Sequence, residues 1–172
     1  MPRRVAGVFG QVLEAMRAGR LSRMRRPAPT PTVGTSGPYP GDFVGIPQMT
    51  YAARPDGRAD PGEVVWTWVP YEEDWREGKD RPVLVIGFDD PWLLALPLTS
   101  QDHDADAAQE HRAGREWIDI GSGAWDPRRR PSEVRVNRIL RIDPTAIRRE
   151  GAAIDEATFT RVAVAVRAGH GD

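Results

Sequence analysis

The sequence predicts a mainly β protein with added α-helices (α+β), in which short strands form a compact barrel and a helix follows them. Apolar residues alternate with period two, or run continuously over a few positions, at several places between residues 64 and 142. Short runs of this kind separated by turn residues are typical of small barrels. Closer to the C-terminus the apolar spacing becomes helical, which predicts a helix packed on the barrel or on a second subunit.

Two patterns identify the strands. From Val64 to Val69 alternate residues are suited to packing on two opposite faces, as in a strand that is covered on both sides. The stretch from Pro82 to Ile86 is continuously apolar and lies between Gly78 and Gly87, which favours a buried strand. The predicted strands are Val64–Val69, Pro82–Ile86, Trp92–Leu96, Trp117–Ile120 and Val134–Ile142.

Two helical signals follow these strands. Asp143 and Pro144 form a cap residue followed by proline at the first helical position, and Gly151 is expected to close this short segment. Asp155 is predicted to cap a longer helix, with Ile154 and Phe159 as its hydrophobic staple. The apolar stripe of that helix is Phe159, Val162, Ala163 and Val166, and it ends at Gly169.

The N-terminal region differs in charge and composition. Residues 4–24 have helical apolar spacing and are rich in arginine, which predicts a basic amphipathic helix. Such a helix could lie on a lipid surface, tether RNA or pack loosely as a tail. A Pro-rich linker follows, so we predict a helical extension and linker over 1–38 and a barrel domain over 39–172. Residues 39–44 are interpreted as an extra edge strand or a clasp on the barrel.

Composition excludes several classes of protein. The chain has no cysteine, which rules out disulfides and thiolate metal sites, and its three histidines lie outside any HExxH pattern. We therefore expect no metal and no other cofactor. The sequence contains neither an apolar run of the ~20 residues that cross a bilayer nor a signal-peptide core after Met1. A cytoplasmic protein without stable membrane insertion is expected. The acidic run at 72–74 suits a divalent ion or, more commonly, a solvated loop.

Two segments carry candidate chemistry. Arg81 precedes Pro82, and a following proline disfavours helical geometry at the arginine. The guanidinium is therefore predicted to lie at the mouth of a buried strand, where it could hold phosphate. After the strand residues near Leu96, the chain continues with Thr99, Ser100 and Gln101, whose side chains can donate to phosphate oxygens. Spacing alone leaves structural roles open for both segments, namely a loop ion pair and a hydroxyl-rich turn.

Four segments in the same order resemble the MazF/PemK-type family of toxin–antitoxin endoribonuclease toxins. The first is similar to the family's opening strand, the second to its Arg-Pro signature and the third to its Pro-x-Thr-Thr/Ser-x segment. The fourth lies where the family has an Asp-Gln-Ile/Val-Arg strand. The segments are Pro61–Trp66, Gly78–Val85, Pro97–Gln101 and Asn137–Asp143, and the resemblance extends over roughly residues 60–168.

This resemblance implies an SH3-like barrel that forms a homodimer. It also implies the toxin of a type II system, a metal-independent endoribonuclease that cleaves single-stranded RNA (mRNA) through the ribose 2′-OH and is inhibited by a cognate antitoxin. Arg81 and Thr99 match the family's main catalytic pair. Since arginine stays protonated, Arg81 suits an electrostatic clamp or proton donor, and Glu77 and His103 are the candidates for the base.

The sequence departs from the family pattern at one strand. Asn137 and Arg138 stand where the family has Asp-Gln, so Arg138 either binds phosphate or forms an ordinary ion pair. Trp66 and Trp92 are expected in the core, whereas Trp75 in the polar loop is the better candidate for stacking on a base. The alternative to an enzyme is a non-catalytic barrel module that binds RNA or a protein partner. A DNA-binding regulator is less favoured because no recognition helix is evident.

Overall fold

The structure is a computed structural model that describes residues 37–100 and 114–171. The predicted N-terminal helix over 4–24 lies outside the described residues, as do Gln101 and His103. No helix in the described part of the chain combines the length and apolar character that a bilayer crossing requires.

The described chain folds as a curled antiparallel sheet, or half-barrel, with one C-terminal α-helix, which confirms the predicted α+β class. The strand order is β4-β5-β3-β2-β1-β7, and β6 pairs with β3. The strands are β1 Glu63–Pro70, β2 Gly78–Asp89, β3 Trp92–Thr99, β4 Trp117–Gly121, β5 Ser132–Arg135, β6 Leu140–Ile142 and β7 Arg149–Ala153. A short 3-10 helix spans Pro144–Ala146, and helix α1 spans Glu156–Gly169.

Both faces of the central strands are buried, as their continuous apolar sequence predicts. In β3 every residue from Leu93 to Leu98 is buried. Leu84 and Leu96 belong to the cluster that packs beneath α1, whereas Val83 and Ala95 belong to a second cluster. Since successive side chains of a strand point to opposite faces, an apolar run can fill two clusters at once.

Helix α1 begins where the sequence predicts. The Asp155 carboxylate accepts a hydrogen bond from the backbone N–H of Thr158 at 2.8 Å, which satisfies one of the N–H donors that a helix start leaves open. It also accepts one from the Thr158 hydroxyl at 2.9 Å. Phe159 is buried and meets the Tyr51 ring edge to face at a centroid distance of 5.6 Å. The predicted cap and apolar stripe are therefore confirmed, and α1 is fixed to the sheet by its buried face.

The predicted strand over Val134–Ile142 is wrong in one respect, because the segment forms two strands. β5 pairs with the end of β3 at Thr99, whereas β6 pairs with the opposite end of β3 at Leu93. The chain must therefore cross from one half of β3 to the other. At this crossing Asn137 accepts a hydrogen bond from Arg135 at 2.9 Å and donates one to the Gly114 carbonyl.

The short helical segment predicted to run from Asp143 to Gly151 is also wrong in extent. Asp143 caps only the one-turn 3-10 helix, accepting from the Thr145 N–H at 2.8 Å. Gly151 lies inside β7, where a Cβ would come within 2.8 Å of the Val64 carbonyl oxygen. Glycine is thus required there by the close approach of β7 to its neighbours, and it does not end a helix.

Residues 39–44 act as a clasp and do not form an additional strand. Phe43 makes an isolated bridge to Ile139, with an N–O distance of 2.7 Å. Arg141 donates to the carbonyls of Gly41 at 3.2 Å and Asp42 at 3.0 Å. These contacts tie the segment before β1 to the turn and strand around β6.

The buried face of α1 gives a first prediction. Phe159→Ala should lower the free energy of unfolding by about 3–5 kcal/mol, because it removes a large side chain from the core. Val164→Ala on the same helix, 59% exposed, should change it by less than about 0.5 kcal/mol. Urea unfolding followed by tryptophan fluorescence measures both, and equal effects would contradict this packing.

The Asp155 cap gives a second prediction. Hydrogen bonds from Thr158 lower the pKa of the Asp155 carboxyl below its ordinary value of 3.8. The unfolded chain therefore takes up the proton more readily than the folded chain. The cap's stabilisation is fully present above the ordinary carboxyl pKa of 3.8 and is lost as pH falls through the lower folded-state pKa. Asp155→Ala should lower the melting temperature at neutral pH, and the gap to wild type should narrow on acidification. A gap that stays constant down to acidic pH would contradict a role for the ionised carboxylate.

Candidate active site

A cleft opens where strands β2 and β3 stop pairing. Their last paired residues at this end are Val83 and Pro97. β3 continues to Thr99 with β5 as its partner, whereas β2 remains paired with β1 along its first residues. Arg81 lies two residues before Val83 on β2, Thr99 lies two residues after Pro97 on β3, and both line the opening between the strands.

Two prolines lie where this pairing ends. Pro82 and Pro97 have no backbone N–H, so neither can donate a hydrogen bond to a neighbouring strand. Proline is normally confined to positions where a ladder is interrupted or exposed. The local sequence therefore favours the separation of the two strands that creates the cleft.

The cleft has a volume of about 210 Å³ and two walls of different origin. One wall comes from β1 and β2 and the other from the end of β3, the start of β5 and the turn between β4 and β5. The lining residues are Trp66, Lys79, Asp80, Arg81 and Pro82 on the first wall, and Leu98, Thr99, Ser100, Trp125, Asp126, Arg130 and Ser132 on the second. Of the predicted site residues, the structure therefore brings together Arg81, Thr99 and Ser100.

Arg81 is a half-buried cation in this cleft. Burial is the main cause that lowers the pKa of its guanidinium, the nearby arginines 138 and 115 lower it further, and the Tyr71 phenol opposes them. Among the described residues no carboxylate forms an ion pair with Arg81. An anion bound in the cleft would thus interact with a cation that the described residues leave uncompensated.

Two half-buried residues with hydroxyl groups, Thr99 and Ser100, lie at the end of β3. Thr99 is the direct cross-strand partner of Glu133, which is only 8% exposed. Glu133 is not distinguishable as a site residue in the sequence. Its only sequence signal is its position one residue before the apolar Val134, which is too common to identify a site residue.

The turn between β4 and β5 and the start of β5 supply three cleft residues that have no sequence signal of a site, Asp126, Arg130 and Ser132. The Trp66 indole donates to the Trp125 carbonyl at 2.9 Å, and the Trp125 indole donates to the Ser132 hydroxyl at 3.0 Å. Asp126 and Arg130 form an ion pair of 2.7 Å beside them. Trp125 is buried, whereas Trp66 and Trp92, both expected in the core, are half-buried. Trp66 is thus shared between the sheet and the cleft.

Two further candidates lie in the loop between β1 and β2, outside the cleft lining. Trp75 is 46% exposed and contacts the Tyr39 ring edge to face at a centroid distance of 5.4 Å. Glu77 is exposed, and its carbonyl accepts the Tyr71 N–H at 2.8 Å, which closes the loop. The structure therefore does not bring Trp75 or Glu77 together with Arg81 in the cleft.

Arg138 lies under the clasp. Its Nε donates to the Asp42 carboxylate at 2.9 Å, and its side chain is 8% exposed. Tyr39 donates to the same carboxylate at 2.5 Å. Of the two interpretations of Arg138, the geometry corresponds to the ion pair.

Carboxylates of the acidic run at 72–74 form ion pairs with separate arginines. Glu72 pairs with Arg135 at 2.8 Å, and hydrogen bonds from that guanidinium are the main cause that lowers the pKa of the carboxyl. Asp74 pairs with Arg76 at 2.8 Å. Within residues 37–100 and 114–171 no three acidic or histidine side chains converge as metal ligands.

Three of the solved structures that match this chain are the following. An endoribonuclease in complex with its cognate antitoxin from a mycobacterial species is 14% identical, with 64% of this chain and 92% of that chain covered and a TM-score of 0.46. A chain of the Deinococcus radiodurans MazE–MazF crystal structure is 17% identical, with 67% and 98% covered and a TM-score of 0.47. The Mycobacterium tuberculosis toxin MazF-mt6 is 15% identical, with 61% and 94% covered and a TM-score of 0.40.

The family assignment rests on the sequence. A comparison with curated proteins finds no match. The sequence model of the family described as "PemK-like, MazF-like toxin of type II toxin-antitoxin system" matches residues 60–169, which is well over half of the chain and includes the β2 and β3 walls of the cleft. The chain belongs to the PemK-like, MazF-like family of toxins of type II toxin–antitoxin systems.

Proposed function

We propose that this protein is a toxin that cleaves single-stranded RNA without a metal ion, through the ribose 2′-OH, at the cleft between β2 and β3. The observation that carries the proposal is the placement of Arg81 and Thr99 on opposite walls of one cleft inside the family-matching region. The proposal includes a cognate antitoxin as inhibitor and a homodimer of SH3-like barrels in the cytoplasm. The antitoxin, the dimer and the cytoplasmic location are proposed on the basis of family membership.

The proposed reaction needs no protein nucleophile. The 2′ oxygen of the ribose attacks the adjacent phosphorus, its proton passes to a base, and the bond from phosphorus to the 5′ oxygen breaks as that oxygen gains a proton. The products are a 2′,3′-cyclic phosphate and a 5′-hydroxyl end. Catalysis then requires positioning, proton transfer and stabilisation of the charge that develops on the phosphorane oxygens.

Arg81 and Thr99 suit the stabilising roles. The guanidinium offers several N–H donors to phosphate oxygens, and a hydroxyl can donate one more from the facing wall. The lowered pKa of Arg81 strengthens its ability to act as an acid, but an arginine is still protonated at neutral pH and is no base. Because the 2′-OH is the attacking group, the cleft should act on RNA and leave DNA intact.

The third prediction tests this pair by substitution. Arg81→Ala should lower kcat/KM for a single-stranded RNA by about 10²-fold or more, since it removes a donor to the developing charge. Thr99→Ala should lower it as well, and Thr99→Ser should restore activity because it returns the hydroxyl. Arg76→Ala is the matched control, as Arg76 is an exposed arginine paired with Asp74 outside the cleft. The assay is run with purified full chain in EDTA.

The outcomes separate the proposed enzyme from its alternatives. Binding of RNA without cleavage by the wild type would support the non-catalytic module. Cleavage that persists in both Arg81→Ala and Thr99→Ala would show that the reaction takes place elsewhere on the protein. Cleavage that needs an added divalent ion would contradict the metal-independent mechanism.

A further inference from the structure

The second wall of the cleft carries an arginine whose guanidinium is held in place. Arg130 follows β4 in the turn before β5, and its Nε donates to the Asp126 carboxylate at 2.7 Å. The side chain of Asp126 is only 7% exposed, whereas that of Arg130 is 51% exposed. The buried carboxylate therefore anchors the base of the guanidinium while much of the arginine side chain remains open to solvent.

The turn itself is built around Asp126. Its carboxylate also accepts the backbone N–H groups of Arg128 at 3.0 Å and Arg130 at 3.3 Å, and its carbonyl accepts that of Arg129 at 2.8 Å. Arg129 has a positive φ of 51°, a conformation that non-glycine residues rarely adopt. A strained backbone of this kind persists where the surrounding contacts impose it, and such positions are common at binding sites.

The turn is connected to the first wall of the cleft as well. Trp66 of β1 donates to the Trp125 carbonyl, and Trp125 donates to the Ser132 hydroxyl, which in turn donates to the Arg130 carbonyl at 3.3 Å. This chain of hydrogen bonds spans both walls. The backbone of Arg130 is thus tied to β1 of the first wall, and Asp126 holds its Nε, so the side chain has less freedom to lose on binding.

We propose that Arg130 is a phosphate-binding residue of the cleft, positioned by Asp126 to hold a backbone phosphate of single-stranded RNA next to the one at Arg81 and Thr99. The inference rests on the proposed function for the identity of the ligand. Arginine suits this role because its planar fork can engage Asp126 through Nε while the terminal nitrogens meet phosphate oxygens. An arginine on each wall would direct the sugar-phosphate backbone across the opening.

The fourth prediction concerns Arg130→Ala. For a short single-stranded RNA in which every 2′-OH is methylated and cannot react, the variant should raise Kd roughly tenfold, as expected for loss of one charge-assisted hydrogen-bonded contact. The slope of log K against log salt concentration should become shallower by about 0.7, the contribution of one phosphate in a single strand. Arg130→Lys should keep the slope but bind more weakly than wild type, since it keeps the charge and loses the fork.

Arg128→Ala is the matched control. Arg128 lies in the same turn, is exposed, is not part of the cleft lining, and contributes only its backbone N–H to Asp126. It should leave the salt slope unchanged. The melting temperature of every variant is measured as well. A purely structural role of Arg130 would lower the melting temperature of Arg130→Ala without changing the salt slope of its RNA binding.

Two results overturn the inference: equal slopes for Arg130→Ala and Arg128→Ala, or no binding of the methylated RNA by the wild type. The proposed function fails separately. If the wild type cleaves RNA in an Arg81-dependent way while Arg130→Ala binds like wild type, only the Arg130 inference fails. If binding depends on Arg130 but the wild type cleaves no RNA, the phosphate subsite stands and the ribonuclease proposal falls.

Discussion

The end of the β2–β3 ladder at Val83 and Pro97 is the constraint on which the candidate site depends. Beyond this pair β3 turns to β5 as its partner while β2 stays with β1, so the sheet divides without a break in either chain segment. Proline on each strand removes a donor at the point of separation. The buried strands on both sides hold the walls rigidly, and a site on rigid strands keeps its side chains in a defined geometry.

The charges of the protein are arranged locally. The chain as a whole carries a formal net charge of −1, so attraction of RNA must come from particular arginines. Several arginines of the described residues are already paired with carboxylates, including Arg135 with Glu72 and Arg138 with Asp42. The cleft is lined by three basic side chains, Lys79, Arg81 and Arg130. Arg81 has no carboxylate partner among the described residues, and Arg130 pairs with Asp126 through Nε while about half of its side chain stays exposed.

Much of the fold could be predicted from the sequence, because period-two strands and a capped helix leave local signals. Local spacing made Arg81 and Thr99 candidates but left structural roles open for both, and the family resemblance favoured them as a pair. Their placement across one cleft depends on pairing between distant segments. The division of residues 134–142 into β5 and β6 was not predictable, as it follows from which half of β3 each part meets. Arg130 was missed for a similar reason. Only the tertiary position of its turn shows that Asp126 holds it at the cleft.

The chemistry of the cut ends shows directly whether the 2′ oxygen attacks at the Arg81–Thr99 cleft. Mass spectrometry of a single-stranded RNA digested by the full chain in EDTA should find a 2′,3′-cyclic phosphate on one product and a 5′-hydroxyl on the other. A substrate with deoxyribose only at the cut position should remain intact there, because the attacking oxygen is missing. A 5′-phosphate with a free 3′-hydroxyl, or cleavage at the deoxyribose, would contradict attack by the 2′ oxygen at the Arg81–Thr99 cleft.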